Sequence, residues 1–122
     1  MNNIKGRCIW ITGASSGLGK ALTIQLVEAG NFVIASARSQ TALADLAKQY
    51  PGKIKILPLD ISRGLDLKKT SAEIRELSDY LDMVICAAGI CEYEDNLSFN
   101  PDMYERTLDV NFLGVIRCLN IA

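Results

Sequence analysis

No histidine occurs among the 122 residues. That removes both the commonest metal ligand and the commonest general base at neutral pH. The four cysteines, Cys8, Cys86, Cys91 and Cys118, form no Cys-x-x-Cys pair, so no metal site is expected. Cys8 and Cys86 lie inside apolar runs, where cysteine behaves as a small hydrophobe. A disulfide framework does not suit a chain so poor in loops, and the reading is a protein of a reducing compartment, the cytoplasm. Excess charge is also missing: 13 basic residues stand against 14 acidic ones. Neither a nucleic acid nor an anionic membrane surface is therefore an expected partner. The longest apolar stretch, residues 83–91, is too short to span a bilayer, and the polar start is not a signal peptide.

What is present is an alternation of strand and helix. Residues 7–12 (RCIWIT) form a short apolar run ending at glycine, which reads as a buried strand. Leu18, Leu22 and Leu26, with Ala21 and Ala29 beside them, are spaced as on one helix face, and Gly30 is a stop signal. Residues 31–36 (NFVIAS) form a second strand. Ser39 caps a helix bearing Leu43, Leu46, Ala47 and Tyr50 on one face, and Pro51-Gly52 ends it. Residues 53–59 and 81–88 read as the third and fourth strands, with a helix over 65–80 between them. From Pro101 the pattern is helical to Ala122. Strands apolar on both faces and separated by helices mean a parallel sheet covered on both sides. The predicted fold is α/β: a three-layer α-β-α, doubly wound Rossmann-type sheet. Right-handed crossovers give the strand order 3-2-1-4. The ligand crevice then lies at the carboxyl ends of strands 1 and 4. The last helix has no cap and the fourth strand is an open apolar edge. The expectation is one nucleotide-binding domain over residues 1–122, truncated after the helix that contains Asn111.

The first strand runs into Thr12-Gly13-Ala14-Ser15-Ser16-Gly17-Leu18-Gly19. Glycines in a strand-to-helix turn let a backbone approach a pyrophosphate, and the amides at the helix start hold its charge. A Cβ at Gly17 or Gly19 is expected to take up the pyrophosphate's room. A Walker A loop is excluded: five residues, not four, separate Gly13 from Gly19-Lys20, and Ala21 gives no hydroxyl for magnesium.

This loop closely resembles the cofactor loop of the short-chain dehydrogenase/reductase family. Three further segments are similar to that family's motifs. Leu59-Asp60-Ile61-Ser62 looks like its Asp segment after the third strand, Cys86-Ala87-Ala88-Gly89 its Asn-Asn-Ala-Gly segment on the fourth, and Asp109-Val110-Asn111-Phe112-Leu113-Gly114 the segment with its catalytic-tetrad asparagine. The resemblance implies an NAD(P)(H)-dependent oxidoreductase acting on a small-molecule carbonyl or alcohol, working as a homo-oligomer, dimer or tetramer. It implies that Gly13, Ser15, Ser16, Gly17, Leu18, Gly19, Arg38, Asp60, Ile61, Ala87, Ala88 and Gly89 bind the cofactor and that Asn111 supports catalysis. On the residues alone, Asp60 also reads as the cap of a turn and Asn111 as a polar residue on a wet helix face. Ala87 departs from the family's asparagine, so the fourth strand is held differently. Family members are about twice this long and carry their Ser and Tyr-x-x-x-Lys in the second half. Four residues after Tyr50, Tyr80, Tyr93 and Tyr104 stand Ile54, Val84, Leu97 and Leu108, none of them lysine. The 122 residues alone are thus expected to be inactive, and a non-catalytic dinucleotide-binding or sensor module stands as the alternative.

The end of the second strand decides the nucleotide. An acid there would bond both ribose hydroxyls of NAD. Ala37 cannot, and Arg38 follows it with a guanidinium fork suited to a 2′-phosphate. Ser36 and Ser39 offer further hydroxyls. NADP(H) is therefore favoured over NAD(H), although no Lys or Arg lies between the loop glycines. The other reading of Arg38 is a solvated loop residue. Beyond the fourth strand, Cys91, Glu92, Glu94 and Asp95 read as a solvated acidic loop near a substrate entrance, and Trp10 reads as core.

Overall fold

A computed structural model of the chain describes residues 4–94 and 98–122; Asp95 lies outside them. Four strands, β1 (Cys8–Thr12), β2 (Phe32–Ser36), β3 (Ile54–Ile56) and β4 (Met83–Cys86), form one parallel sheet in the order β3-β2-β1-β4. This is the predicted order. Between them run α1 (Gly17–Glu28), α2 (Gln40–Gln49) and α3 (Leu67–Leu77). The sheet alternation divides the core in two. Ile9, Ile11, Val33 and Ala35 point to one face, where Leu26, Leu43 and Leu46 cover them. Cys8, Trp10 and Ile34 point to the other and meet Ile74, Cys118 and Ile121. Two separate apolar layers on one sheet are the signature of the three-layer α-β-α fold.

The predicted third and fourth strands are trimmed to three and four residues. β3 leaves the ladder before Pro58, which has no N–H to give. Leu57 and Leu59 still donate to the carbonyls of Ala35 and Ala37, at 2.9 and 3.0 Å. The face of α1 also differs from the leucine spacing. Its buried residues are Gly19, Thr23, Leu26 and Val27, and Leu18 is 78% exposed. Gly19 must face inward because the helix start packs against the glycine loop, and this turns Leu18 outward.

From Pro101 the chain is one continuous helix with a wide turn inside it: α4 (Pro101–Leu108), a π-helical turn (Asp109–Leu113) and α5 (Gly114–Ile121). Asn100 caps its start, accepting from the Asp102 N–H at 3.2 Å, and Pro101 occupies the first turn, where its missing donor costs nothing. Leu108, Phe112, Ile116 and Leu119 form an exposed apolar stripe along it, at spacings of four and three residues. Among the described residues no helix is long and apolar enough to cross a membrane.

Asn31 has a structural task that its position before β2 did not announce. It is 1% exposed. Its Oδ1 accepts from the Arg7 N–H at 3.1 Å, and its Nδ2 donates to the carbonyls of Ile4 and Leu26, both at 2.9 Å. One amide thus joins the entry of β1 to the exit of α1. Asn31→Ala strands the Arg7 N–H and the Ile4 carbonyl, while the Leu26 carbonyl keeps its bond from the residue-31 N–H at 3.1 Å, and each unmet buried group costs about 1–3 kcal/mol. The expected loss is about 2–4 kcal/mol in urea unfolding, with water recovering part of the deficit; a loss below about 0.5 kcal/mol would mean that the bridge carries no weight.

Candidate nucleotide site

A cavity of about 390 Å³ opens over the carboxyl ends of the strands. The structure brings all twelve residues expected at a cofactor together around it: Gly13, Ser15, Ser16, Gly17, Leu18, Gly19, Arg38, Asp60, Ile61, Ala87, Ala88 and Gly89. Ser36, Ala37 and Ser39, expected beside the nucleotide, line it as well, and so do Thr12, Ile90 and Val110, which the sequence reading had not assigned to the cofactor.

Backbone contact builds the floor. Gly13 has φ +73°, and a Cβ on it would lie 2.6 Å from the Ala88 nitrogen. A Cβ on Gly19 would run into the Gly13 carbonyl oxygen, whereas one on Gly17 meets only open space. At Gly19 the hydrogen makes room for the protein's own loop, a steric need that the sequence reading had not named. Thr12 faces the β4 exit. Its carbonyl accepts from the Ala87 N–H at 3.1 Å, and its hydroxyl stands at the long limit, 3.5 Å, from the Ala88 N–H. Ser16, at the start of α1, makes no side-chain capping bond, while Ser39, Asp66 and Asn100 cap α2, α3 and α4. The first amides of α1 thus have no side-chain oxygen against them at the cavity wall, which suits an anionic group.

Around the rim the polar groups are ordered. Asp60 Oδ1 accepts from the Ser62 N–H at 2.9 Å, so it does cap the turn after β3, and it also lines the cavity. That amide holds its carboxyl below the usual range, aided by the Arg38 charge and against partial burial. The Ser36 hydroxyl accepts from the Trp10 indole at 2.9 Å and is fully buried. The Ser39 hydroxyl accepts from the Ala42 N–H at 3.2 Å. Both oxygens are thus engaged within the protein. Burial pushes the Cys118 thiol up to about 12. Its neighbour Cys86 is also raised, so both stay protonated and unreactive.

Asn111 sits in the π-helical turn. Its Nδ2 donates to the Ile90 carbonyl and its Oδ1 accepts from the Ile90 N–H, each at 2.7 Å. It therefore grips the chain directly after Ala88 and Gly89. Wide turns of this kind recur at functional positions in helices. The acidic loop is fastened down, not merely solvated: Glu92 takes a two-bond ion pair from Arg106, which lowers its carboxyl, and Glu94 accepts from the Tyr104 hydroxyl at 2.8 Å. Among the described residues no cluster of metal-ligating side chains occurs.

A family model described as "short chain dehydrogenase" matches residues 7–122. The chain belongs to the short-chain dehydrogenase family. A fatty acyl-CoA reductase of Acinetobacter baylyi is 31% identical over 94% of this chain and 41% of its own length. Dehydrogenase/reductase SDR family member 11 of Gallus gallus is 31% identical over 100% of this chain and 50% of its own length. Among solved structures, the RhlG/NADP active-site complex of Pseudomonas aeruginosa superimposes with a TM-score of 0.89 at 28% identity, covering 98% of this chain and 48% of that one. The chain spans about half the length of the curated relatives it matches. In this dehydrogenase-family chain, the glycine loop, Asp60 and the β4 exit share one cavity, and Asn111 reaches it through Ile90.

The glycines separate two effects. Gly19→Ala is expected to lose about 3 kcal/mol or more, because backbone lies where the methyl must go. Gly17→Ala, at φ +52°, is expected to cost about 1–2 kcal/mol of left-handed strain, to fold, and to bind dinucleotide poorly. Thermal melts with cofactor titration check both; a stable Gly19→Ala chain refutes the steric account.

A pH dependence follows from Asp109. The Arg117 hydrogen bond, then the Arg63 N–H, hold its carboxyl below the ordinary 3.8. A carboxylate depressed in the folded state contributes its full stabilisation above the ordinary value and loses it as pH falls through the folded one. Urea midpoints should therefore drop as pH falls below about 4, and Asp109→Asn should flatten that limb. An unchanged acid limb in the variant would contradict the pairing.

Proposed function

We propose that this chain is the cofactor-binding half of an oxidoreductase that uses NADP(H) in preference to NAD(H) and acts on a carbonyl or alcohol. The observation that carries the reading is the single cavity lined by the glycine loop, Arg38, Asp60 and the Ala87–Gly89 segment. In this reading the amides at the start of α1, with Ser15 and Ser16, hold the pyrophosphate. Asp60 and Ile61 flank the adenine. Arg38 takes the 2′-phosphate, where Ala37 presents no carboxylate to repel it. The cofactor supplies or accepts the hydride, and this chain binds it, orients it and shields it from water. Asn111 fixes the β4 exit on the nicotinamide side.

The acid/base tyrosine is assigned to the protein outside these 122 residues, since no Tyr-x-x-x-Lys occurs within them. The chain alone is then a binder without turnover. The exposed stripe Leu108, Phe112, Ile116 and Leu119 supports a homo-oligomer, dimer or tetramer. The four free cysteines support a cytoplasmic setting.

The decisive experiment is cofactor affinity at fixed ionic strength, because a phosphate contact is screened by salt. A charge-assisted fork is worth about 1.5–3 kcal/mol. Arg38→Ala should therefore weaken NADP(H) by about tenfold to a hundredfold and leave NAD(H) nearly unchanged. Adding Ala37→Asp should reverse the preference. Equal weakening of both cofactors, or of neither, would overturn the NADP assignment.

A further inference from the structure

The cavity has two walls that the sheet itself does not join. Asp60 and Ile61 follow β3, and Ile90 follows β4, yet β3 and β4 are the opposite edges of the sheet. One piece of chain touches both. On the β4 side, Asn111 in the π-helical turn grips the Ile90 backbone with two bonds of 2.7 Å. On the β3 side, Arg117 donates through Nη1 to the Ile61 carbonyl at 3.0 Å and to the Asp109 carbonyl at 3.1 Å, and through Nη2 to Asp109 Oδ1 at 2.7 Å. Asp109 Oδ2 in turn accepts from the Arg63 N–H at 2.8 Å. Both side chains are largely shielded, at 20% and 16% exposure. Gly114 lets the helix sit against Ile61, since a Cβ there would lie 2.7 Å from its Cδ1.

The arrangement is a brace. An ion pair inside a regular helix needs no contact with a loop 56 residues away in sequence. Here the same guanidinium spans the helix, its wide turn and the loop after β3. Shielded charge-assisted bonds are stiff, and a planar fork fixes direction as well as distance. A displacement of Ile61 must therefore move Asp109, and with it Asn111 and Ile90.

We propose that Arg117 and Asp109 are positioning residues that couple the adenine-side wall at Ile61 to Asn111 and the β4 exit, so that a nucleotide seated at one wall sets the other. This rests on the nucleotide reading of the cavity above. Neither side chain lines the cavity, so the effect acts through Ile61 and Asn111 and not by contact with the ligand.

The test is a double-mutant cycle on the affinity of adenosine 2′,5′-bisphosphate, which carries no nicotinamide, using folded protein at a temperature well below each melt. The variants are Arg117→Lys, Asn111→Ala and the pair together. A lysine ammonium cannot span three acceptors in one plane. Arg117→Lys and Asn111→Ala should each weaken binding by about fivefold to tenfold, and the double variant by no more than the worse single one. Hydrogen exchange at the Ile90 amide should also speed up in Arg117→Lys without ligand, a change that a purely local role for Arg117 would not produce. If Arg117→Lys does not fold, Asp109→Asn, which keeps the side chain's size, takes its place in the same cycle. Unchanged affinity in Arg117→Lys, losses that multiply in the double variant, or an Ile90 amide that does not respond would each overturn the brace and leave the nucleotide site standing. A wild-type chain that does not bind the bisphosphate would overturn the nucleotide reading itself, and the brace with it.

Discussion

At Gly13 three elements meet with no side chain between them. β1 ends there, α1 begins at Gly17 with Gly19 pressed against the Gly13 carbonyl, and the peptide between Ala87 and Ala88 passes within 2.7 Å of where a Cβ would stand. Close packing of main chain on main chain places the β4 exit beside the glycine loop. It makes the cavity floor out of amides and carbonyls, which cannot be moved without moving strands. Every other feature of the site is hung from that contact: the bare start of α1, the Thr12 bonds to Ala87 and Ala88, and the position of Ile90 that Asn111 grips. A floor of this kind depends on volume more than on chemistry. Its weakness is therefore steric, and the first methyl group at Gly13 or Gly19 breaks it.

The parts legible in the sequence are those that follow from local pattern. A short apolar run such as Cys8–Thr12, stopped by glycine, reads as a buried strand, and right-handed crossovers between strands and helices leave few orders, of which β3-β2-β1-β4 is one that carries a glycine loop after β1. The glycine loop was readable because its residue types are dictated by backbone approach. What stayed hidden depends on tertiary contact. The inward face of α1 was misplaced because Leu18 looks like core, whereas the packing of Gly19 turns it to the cavity mouth. Asn31 looked like the first residue of a strand, and its three backbone partners come from Ile4, Arg7 and Leu26. The wide turn at Asp109–Leu113 carries no composition signal, because it is held by Arg117 and Gly114 against the loop after β3. Arg117 itself reads as an ordinary surface charge until its acceptors are known.

The long C-terminal helix serves two environments with one periodicity. Its inner side gives Met103, Cys118 and Ile121 to the core. Its outer side shows Leu108, Phe112, Ile116 and Leu119. An α-helix advances 3.6 residues per turn, and a wide turn adds a residue without advancing the face. With the insertion at Asp109–Leu113, α5 packs Cys118 and Ile121 against the sheet and α4 buries Met103, while Asn111, between them, reaches Ile90. In a regular helix Asn111 and Cys118, seven residues apart, would share one face; the wide turn rotates them apart, one toward Ile90 and the other into the core. The irregularity is thus the means by which one element supplies a buried packing face and a polar side chain aimed at the site.

The division between binding and specificity follows from the same geometry. Main chain can hold a pyrophosphate shared by every dinucleotide, but it cannot distinguish one nucleotide from another, since all residues carry the same amide. Discrimination must come from side chains at the rim, and the rim offers few: Arg38 and Asp60 are the charged residues among those lining the cavity. They lie close enough for the Arg38 charge to help hold the Asp60 carboxyl low. Placing an anionic phosphate near Arg38 would draw the guanidinium away from that carboxylate. Asp60 does not depend on Arg38 for its position, because the Ser62 amide already binds it. The acid can stay fixed while the base moves to a ligand. A carboxylate fixed by its own turn leaves the neighbouring guanidinium available for the role proposed for it above.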